Sequence, residues 1–244
     1  MKIASNELIP ILSYPRKINA QAYFRRLEEI DSLNVDSFLQ DGNTKIGKFS
    51  ILGKGGAGIV IKVKGKDNKI YALKIRRVDA YRSSMEREVA LHRIANLVGV
   101  GPQIYASSEN LILMDCIEGW NIGSWLSQQN ISINRFLNIV TGALEQCYRL
   151  DRANLDHGEL SFLNHHLLIS KDMKAHIIDF ESSSISRPPH NVTSLSHALL
   201  LSGRGYELIR GTINIKRNEL LHLVRVYKRN KNRENFEKIV NILT

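Results

Sequence analysis

A glycine-rich stretch between runs of β-branched residues restricts the fold of this chain more than any other feature. The stretch is GKGGAGIV, residues 53–60, and it matches G-x-G-x-x-G-x-V at every fixed position. The runs KFSIL, IVIKV and KIYALKI around it predict three antiparallel strands, so the glycines turn a hairpin rather than open a helix. Without Cβ atoms, such a hairpin can point its backbone N–H groups at phosphate. A tight hairpin that holds no ligand is the alternative interpretation.

A lysine strand and an acidic helix follow the hairpin. Lys74 lies in an apolar strand fourteen residues after Val60. A charge in apolar surroundings needs a partner. Met85 and Val89 are spaced as on a helix, and this helix offers Glu86 and Glu88. The alternative is that Lys74 lies on the surface of an edge strand.

The remaining pattern is β at first and mainly helical later. Periodicity predicts an amphipathic helix over residues 21–39, with Phe24, Leu27 and Ile30 recurring every three residues. A central packed helix is predicted over residues 133–150, and further helices from residue 192 onward. Four short strands are predicted at residues 103–107, 111–115, 167–170 and 175–179, the last two as a hairpin.

Two motifs beyond the central helix complete a known order of elements. Residues 157–164, HGELSFLN, have the spacing of H-R-D-L-x-x-x-N, and Asp179 of IIDFE follows Asn164 by fifteen residues, in the place of D-F-G. Together with the glycine stretch and Lys74, these motifs make residues 46–200 resemble a protein kinase. Gly158 and Ser161 make the resemblance closest to atypical RIO-like kinases, in particular an archaeal group of predicted Ser/Thr kinases.

The resemblance implies a role for each matching residue. It assigns Lys74 to the α- and β-phosphates of ATP, with Glu88 preferred over Glu86 as its brace, and Glu159 to the place of the catalytic base. Asn164 and Asp179 would bind Mg²⁺. The residues that would contact the nucleotide are Gly53, Gly55, Gly58, Val60, Ala72, Met114 as gatekeeper, and Asp115, Cys116 and Ile117 as hinge. Asp115 and Glu118 have an alternative interpretation as solvated loop acids, and Asp179 as a residue that caps a strand.

Three departures from the kinase pattern bear on activity. Glu159 replaces the catalytic Asp, and a carboxylate displaced by ~1 Å can lower a rate on the order of 100-fold. Glu181 replaces the glycine of D-F-G. Residues 182–191, SSSISRPPHN, contain no A-P-E and leave no room for a long phosphorylation-controlled activation loop.

Positive charge is concentrated in two blocks of the chain. The formal net charge of +10 combines an excess of twelve basic over five acidic residues at 46–113 and of ten over four at 204–244 with an acidic excess of nine over six at 114–203. The first block would hold ATP, so the excess there can serve triphosphate. Residues 216–233 are expected to contact RNA or an acidic partner, with a solvated helix as the alternative.

Several classes of protein are excluded at this stage. Cys116 and Cys147 form no CxxC pair, so we expect packing residues rather than a disulfide framework or a zinc site. His157 and Glu159 match half of a zinc deaminase signature, but the downstream P-C-x-x-C is missing, and His165 and His166 are predicted at a loop or strand edge. No apolar run reaches membrane-spanning length and no signal peptide is recognisable, so a cytoplasmic protein without membrane contact is expected.

The expected fold is α+β and resembles a two-lobed kinase. Residues 1–45 are predicted as a short N-terminal helical extension, 46–114 as an N-lobe with an antiparallel sheet and one helix, and 115–244 as a minimal helical C-lobe. The expected activity is ATP- and Mg²⁺-dependent phosphorylation of Ser or Thr on a protein substrate or on the chain itself. A catalytically weak ATP-binding switch or ATPase in a ribosome- or tRNA-related complex, and a small-molecule kinase, are the alternatives.

Overall fold

The computed structural model describes residues 5–128, 131–210 and 217–243, and these form an α+β protein. The chain divides into two compact units, Met1–Ala90 with Pro102–Cys116, and Leu91–Gly101 with Ile117–Thr244. The division falls inside helix α3 (Glu86–Leu97). The predicted combination of an antiparallel sheet with several helices is confirmed. Within the described ranges, no helix has both the length and the apolarity needed to cross a bilayer.

The first unit is built on an antiparallel sheet. Its strands are β1 (Val35–Leu39), β4 (Gly53–Lys54), β5 (Gly58–Gly65), β6 (Ile70–Arg76), β7 (Ile104–Ser107) and β8 (Leu111–Asp115). Their order is β1-β5-β6-β8-β7, with β4 beside β5. The predicted pairing of the second and third β-branched runs is confirmed by the β5–β6 ladder. The first run, KFSIL, forms strand β3 (Phe49–Ile51) instead. This strand pairs with β2 (Thr44–Ile46) in a separate hairpin.

The N-terminal segment contributes both helix and strand. The described helices are α1 (Ile9–Leu12) and α2 (Ala20–Ser32), so the predicted helix over residues 21–39 is wrong beyond Ser32. Asn34 has a φ of +55°, which ends the helical path, and Val35–Leu39 then pairs with β5. Of the predicted apolar face, Ile30 is buried and Leu27 packs against the same core, but Phe24 is 61% exposed and Tyr23 enters the core instead.

The second unit is mainly helical. Its helices are α4 (Ile122–Leu126), α5 (Ile133–Arg152), α6 (Leu163–His166), α7 (Asn191–Leu200), α8 (Gly203–Arg210), α9 (Arg217–Arg229) and α10 (Arg233–Asn241). A small antiparallel sheet joins β9 (Gly119–Asn121), β10 (Leu167–Ser170) and β11 (Ala175–Ile177) in the order β11-β10-β9. The predicted central helix is confirmed as α5, and its predicted face of Phe136, Val140, Ala143, Cys147 and Leu150 is fully buried.

A buried carboxylate on α5 holds three helices together and positions the loop that follows. Asp151 accepts hydrogen bonds from Asn191 N at 3.0 Å, from Asn191 Nδ2 at 2.8 Å and from Tyr227 Oη at 2.9 Å. Burial raises the pKa of Asp151, and these donors act against that rise. The other end of the Asn191 amide accepts from His157 N at 2.9 Å. The network therefore connects the core of the unit directly to the HGELSFLN loop.

Candidate functional site

Strand alternation brings the predicted nucleotide residues of the first unit onto one sheet face. Successive side chains of a strand point to opposite faces. On one face, Ile59, Ile61, Leu73 and Ile75 enter the core formed with the N-terminal helices. The other face carries Val60 opposite Lys74, and Ala72 opposite Met114. Met114 packs against the cluster of Met85, Val89, Ile104 and Ile112, which includes residues at the start of helix α3.

Lys74 forms a buried ion pair with Glu88. Lys74 Nζ lies 2.6 Å from Glu88 Oε1, and the two side chains are 6% and 2% exposed. Arg82 Nη1 lies 3.3 Å from the other oxygen, Glu88 Oε2. Glu86 is exposed, so Glu88 is the glutamate that meets the lysine. Because β6 lies between β5 and β8, the interpretation of Lys74 as a surface residue of an edge strand is wrong.

The glycine stretch forms the hairpin that its sequence predicts. Leu52 N donates to Val60 O at 2.9 Å, and Gly55 N donates to Gly58 O at 2.8 Å. A Cβ on Gly58 would lie 3.0 Å from Lys74 Cε and 3.2 Å from Lys74 Cγ, so the absence of a side chain lets the lysine pass beneath the hairpin. A Cβ on Gly53 would meet no atom within 4 Å. The steric need for glycine is therefore located at Gly58.

An arginine that the sequence analysis did not identify ties this hairpin to the sheet. Arg77 Nη1 donates to Gly55 O at 2.9 Å, and Arg77 N donates to Ala57 O at 2.8 Å. Both oxygens of Asp79 accept from the same guanidinium at 2.8 Å, and its carbon lies 5.3 Å from the centre of the Tyr14 ring. Its place directly after β6, the strand that pairs with the end of the hairpin, is the signal that the sequence contains.

The predicted hinge residues have different environments. The Asp115 carboxylate accepts from Tyr105 Oη at 2.8 Å and from Gln103 N at 3.0 Å, so it is held by β7 rather than free in a loop. Glu118 pairs with Lys171 at 2.8 Å near the surface, which fits the alternative of a solvated acid. Cys116 and Ile117 are both half-buried.

In the second unit, His157 is buried at the start of the HGELSFLN loop. Its Nε2 lies 3.0 Å from Ile178 O. The centre of its ring lies 5.2 Å from that of Phe180, and the Phe180 ring lies 4.6 Å from that of His92. Burial lowers the pKa of His157 to about 4, and His166 acts in the same direction. The histidine is thus neutral near pH 7 and serves as packing between the loop and Phe180.

Glu159 lies at the half-exposed edge of this packing. Its side chain is 38% exposed, and Glu159 Oε2 lies 3.5 Å from His166 Nε2. His165 and His166 belong to the short helix α6, so their predicted place in a loop or strand edge is wrong. A half-exposed carboxylate beside an imidazole is able to accept a proton from an approaching hydroxyl.

Asp179 and Asn164 lie at the same end of the β10–β11 hairpin. The predicted hairpin is confirmed, but β11 ends at Ile177, and Ile178 N donates to His166 O at 3.0 Å. Asp179 follows with a φ of +68°, which is uncommon for a residue other than glycine and occurs at functional sites. Asn164 is exposed on α6, and a Cβ on Gly123 would lie 2.4 Å from Asn164 Oδ1.

No protein-family model matches the chain, and a search of curated proteins finds no significant match. The interpretation of the site therefore depends on its geometry and on the four ordered motifs.

A second arginine absent from the sequence prediction holds the segment after Phe180 in place. Arg187 Nε pairs with Asp156 Oδ2, and Arg187 Nη2 donates to Ser182 O at 2.6 Å. Asp156 and Ser184 also exchange two backbone hydrogen bonds of 2.9 Å. Residues 182–187 are thus fixed against the HGELSFLN loop by hydrogen bonds within the unit. Long sequence separation hid this contact, since Asp156 and Arg187 share no local pattern.

The basic tail is only partly available to a partner. Lys216 lies outside the described residues. Arg225, Lys228 and Arg229 are exposed on α9. Arg233 is paired with Glu145 at 2.8 Å and with Glu237 at 3.0 Å, and it stacks on Phe236. The positive surface predicted over residues 216–233 is therefore reduced at its C-terminal end.

Proposed function

We propose that the chain is an atypical, RIO-like protein kinase that transfers the γ-phosphoryl group of ATP to a Ser or Thr hydroxyl with Mg²⁺. The buried Lys74–Glu88 pair beneath a glycine hairpin is the observation that carries the proposal. Burying two charges costs free energy, so stability alone does not explain this pair. A binding function does, because the pair would hold the Lys74 ammonium group where it can contact the phosphate oxygens of ATP. The proposal includes the finer description of the fold as two kinase-like lobes.

The first unit fits a nucleotide. Lys74 offers a fixed cation for the α- and β-phosphates, and Gly58 of the hairpin lies close to it with no Cβ to block a phosphate. The same sheet face presents Val60, Ala72 and Met114, an apolar surface suited to an adenine ring.

The second unit offers the oxygen ligands that Mg²⁺ requires. Asn164 and Asp179 supply an amide and a carboxylate oxygen, the donor types that the ion prefers. When bound, Mg²⁺ would neutralise charge on the phosphate oxygens. Glu159 would accept the proton of the attacking hydroxyl.

A direct test measures transfer of ³²P from [γ-³²P]ATP to the chain itself and to a mixed protein substrate. The wild type should label above background, and Asp179→Ala should not. Equal background labelling of both proteins would refute the proposal. ATP binding measured in parallel separates loss of chemistry from loss of nucleotide.

A second candidate function is an ATP-binding switch or ATPase that no longer phosphorylates proteins. Glu159 is the observation that favours it, because its side chain is longer than Asp and half-exposed beside His166. Glu159→Asp distinguishes the two candidates. A large gain in protein phosphorylation would favour the switch, whereas a loss would identify Glu159 as the working base.

A further inference from the structure

An open surface cavity adjoins the HGELSFLN loop in the second unit. Its volume is about 520 Å³. One wall is the face of α7 opposite its buried side, with Thr193, Ser194 and His197. The rest includes Ser161 from the loop, His190 at the start of α7, and Lys228 from α9.

The lining of this cavity is suited to a negatively charged group. It combines hydroxyls, two imidazoles and an ammonium group, and none of the lining residues that the structure describes is acidic. His190 lines the cavity, but its buried Nδ1 is not open to solvent and is not one of the available donors. Lys228 forms no ion pair with any described residue, unlike Arg233 and Lys238 on the following helix. Thr193 and Ser202 donate their hydroxyl protons to His190 O and His197 O, at 3.0 and 2.8 Å. The hydroxyls of Ser161 and Ser194, the His197 ring and the Lys228 ammonium group remain, and they match the oxygens of a phosphate or carboxylate.

The position of the cavity indicates where such a group would come from. Ser161 is two residues from Glu159, the carboxylate proposed to accept the hydroxyl proton. Two residues of extended chain span at most about 7 Å. The acceptor hydroxyl of a substrate would lie at Glu159. A substrate group bound at Ser161 would therefore be about two or three residues from that hydroxyl along an extended substrate peptide.

We propose that this cavity binds a phosphate or carboxylate group of the protein substrate, located two or three residues from the Ser or Thr that is phosphorylated. The position relative to the acceptor rests on the proposed kinase function, whereas anion binding by the cavity does not. RNA is less suited to this site, because Lys228 is the one lysine or arginine among the described residues that line it, whereas RNA binding uses several cations along a surface.

The first experiment measures binding without nucleotide. A fluorescent peptide with phosphoserine two residues after a target serine is compared with the same peptide carrying unmodified serine or glutamate there. Wild type should bind the phosphopeptide about tenfold more tightly than the unmodified peptide, with glutamate intermediate. Lys228→Gln should remove most of this preference.

The neighbouring Arg229→Gln is the matched control. Arg229 is equally cationic and exposed on the same helix, but it does not line the cavity. It should keep the phosphopeptide preference. If both variants weaken binding equally, or a short RNA displaces the phosphopeptide more effectively than inorganic phosphate at equal ionic strength, the charge is diffuse and the proposal is wrong.

The second experiment measures phosphorylation of acidic and neutral peptide substrates. Lys228→Gln should raise KM about five- to tenfold for the acidic peptide only, with kcat unchanged. If phosphoryl transfer occurs with no preference for acidic peptides, the cavity proposal fails while the kinase function stands. If the phosphopeptide binds as expected and no protein is phosphorylated, the kinase function fails and the anion site stands.

Discussion

Arg187 lies over Gly158. A Cβ on residue 158 would be 2.1 Å from Arg187 Nη2 and 2.8 Å from Ser182 O, and the φ of Gly158 is +90°. The guanidinium comes from the segment after Phe180 and pairs with Asp156. Gly158 and this segment thus form a single arrangement.

Gly158→Ala should therefore disrupt both the backbone and the Arg187 contacts. The left-handed backbone alone costs an alanine about 1–2 kcal/mol, and displacement of the guanidinium adds to this. Arg187→Lys should be only partly tolerated, since an ammonium group cannot bridge Asp156 and Ser182 O as a fork does. Urea unfolding of Gly158→Ala, Arg187→Ala and the double variant gives three losses of unfolding free energy. The loss in the double variant should be smaller than the sum of the two single losses, because both changes remove the same contacts. Additive losses would show that the two residues act independently.

The Lys74–Glu88 pair predicts opposite rankings for stability and for nucleotide binding. The Glu88 carboxylate pairs with both Lys74 and Arg82. Glu88→Gln should therefore lower the unfolding free energy by about 3–5 kcal/mol, and Lys74→Met should lower it by less. Thermal stabilisation by Mg²⁺-ATP should fall further in Lys74→Met, because the lysine is the group that would meet phosphate. Denaturant unfolding and thermal shifts measure the two rankings. The same order in both measurements would contradict a phosphate role for Lys74.

Local pattern was sufficient to predict the elements that carry the site. The β5–β6 ladder follows from the alternation of apolar and polar residues and from the glycines that separate the strands. Helix α5 follows from apolar residues that recur on one face along its length. Choosing Glu88 over Glu86 required the resemblance to kinases, because both residues lie in the first turn of α3. The ion pair itself then follows from the need of a buried amine for a partner.

Features decided by distant contacts could not be predicted. Residues 35–39 continue a helix-compatible pattern, but Val35 and Phe38 gain a core when they pair with β5. Buried Arg26 donates hydrogen bonds from Nη1 to Leu12 O at 2.5 Å and from Nη2 to Asn110 Oδ1. Asn110 lies 84 residues further along the chain. Burial, with Arg76 acting in the same direction, lowers the pKa of Arg26 to about 10. No window of sequence contains these partners together.

The buried His157 predicts a specific dependence of stability on pH. Its pKa is about 4 in the folded chain, against about 6.5 when unfolded. As pH falls from about 6.5 to 4, the unfolded state binds a proton that the folded state does not, so unfolding becomes easier by up to ~1.4 kcal/mol per pH unit. His157→Gln keeps a polar group near Ile178 O and removes the titration. Its unfolding free energy should therefore change less between pH 7 and pH 4.5 than that of the wild type. Parallel curves would show that His157 is not the group responsible.

Two helical glycines with different surroundings predict opposite effects of the same substitution. A Cβ on Gly123 would lie 2.4 Å from Asn164 Oδ1 and 2.9 Å from Asn164 Cγ, whereas a Cβ on Gly142 would meet no atom within 4 Å. Gly142→Ala should stabilise α5 by about 0.5–1 kcal/mol and leave activity unchanged. Gly123→Ala should push Asn164 from its position and raise the Mg²⁺ concentration needed for half-maximal labelling by several fold, because Asn164 is proposed as a metal ligand. Titrating labelling with Mg²⁺ in both variants gives the comparison. An unchanged Mg²⁺ requirement in Gly123→Ala would argue against Asn164 as a ligand, since the steric contact leaves its amide no room to stay in place.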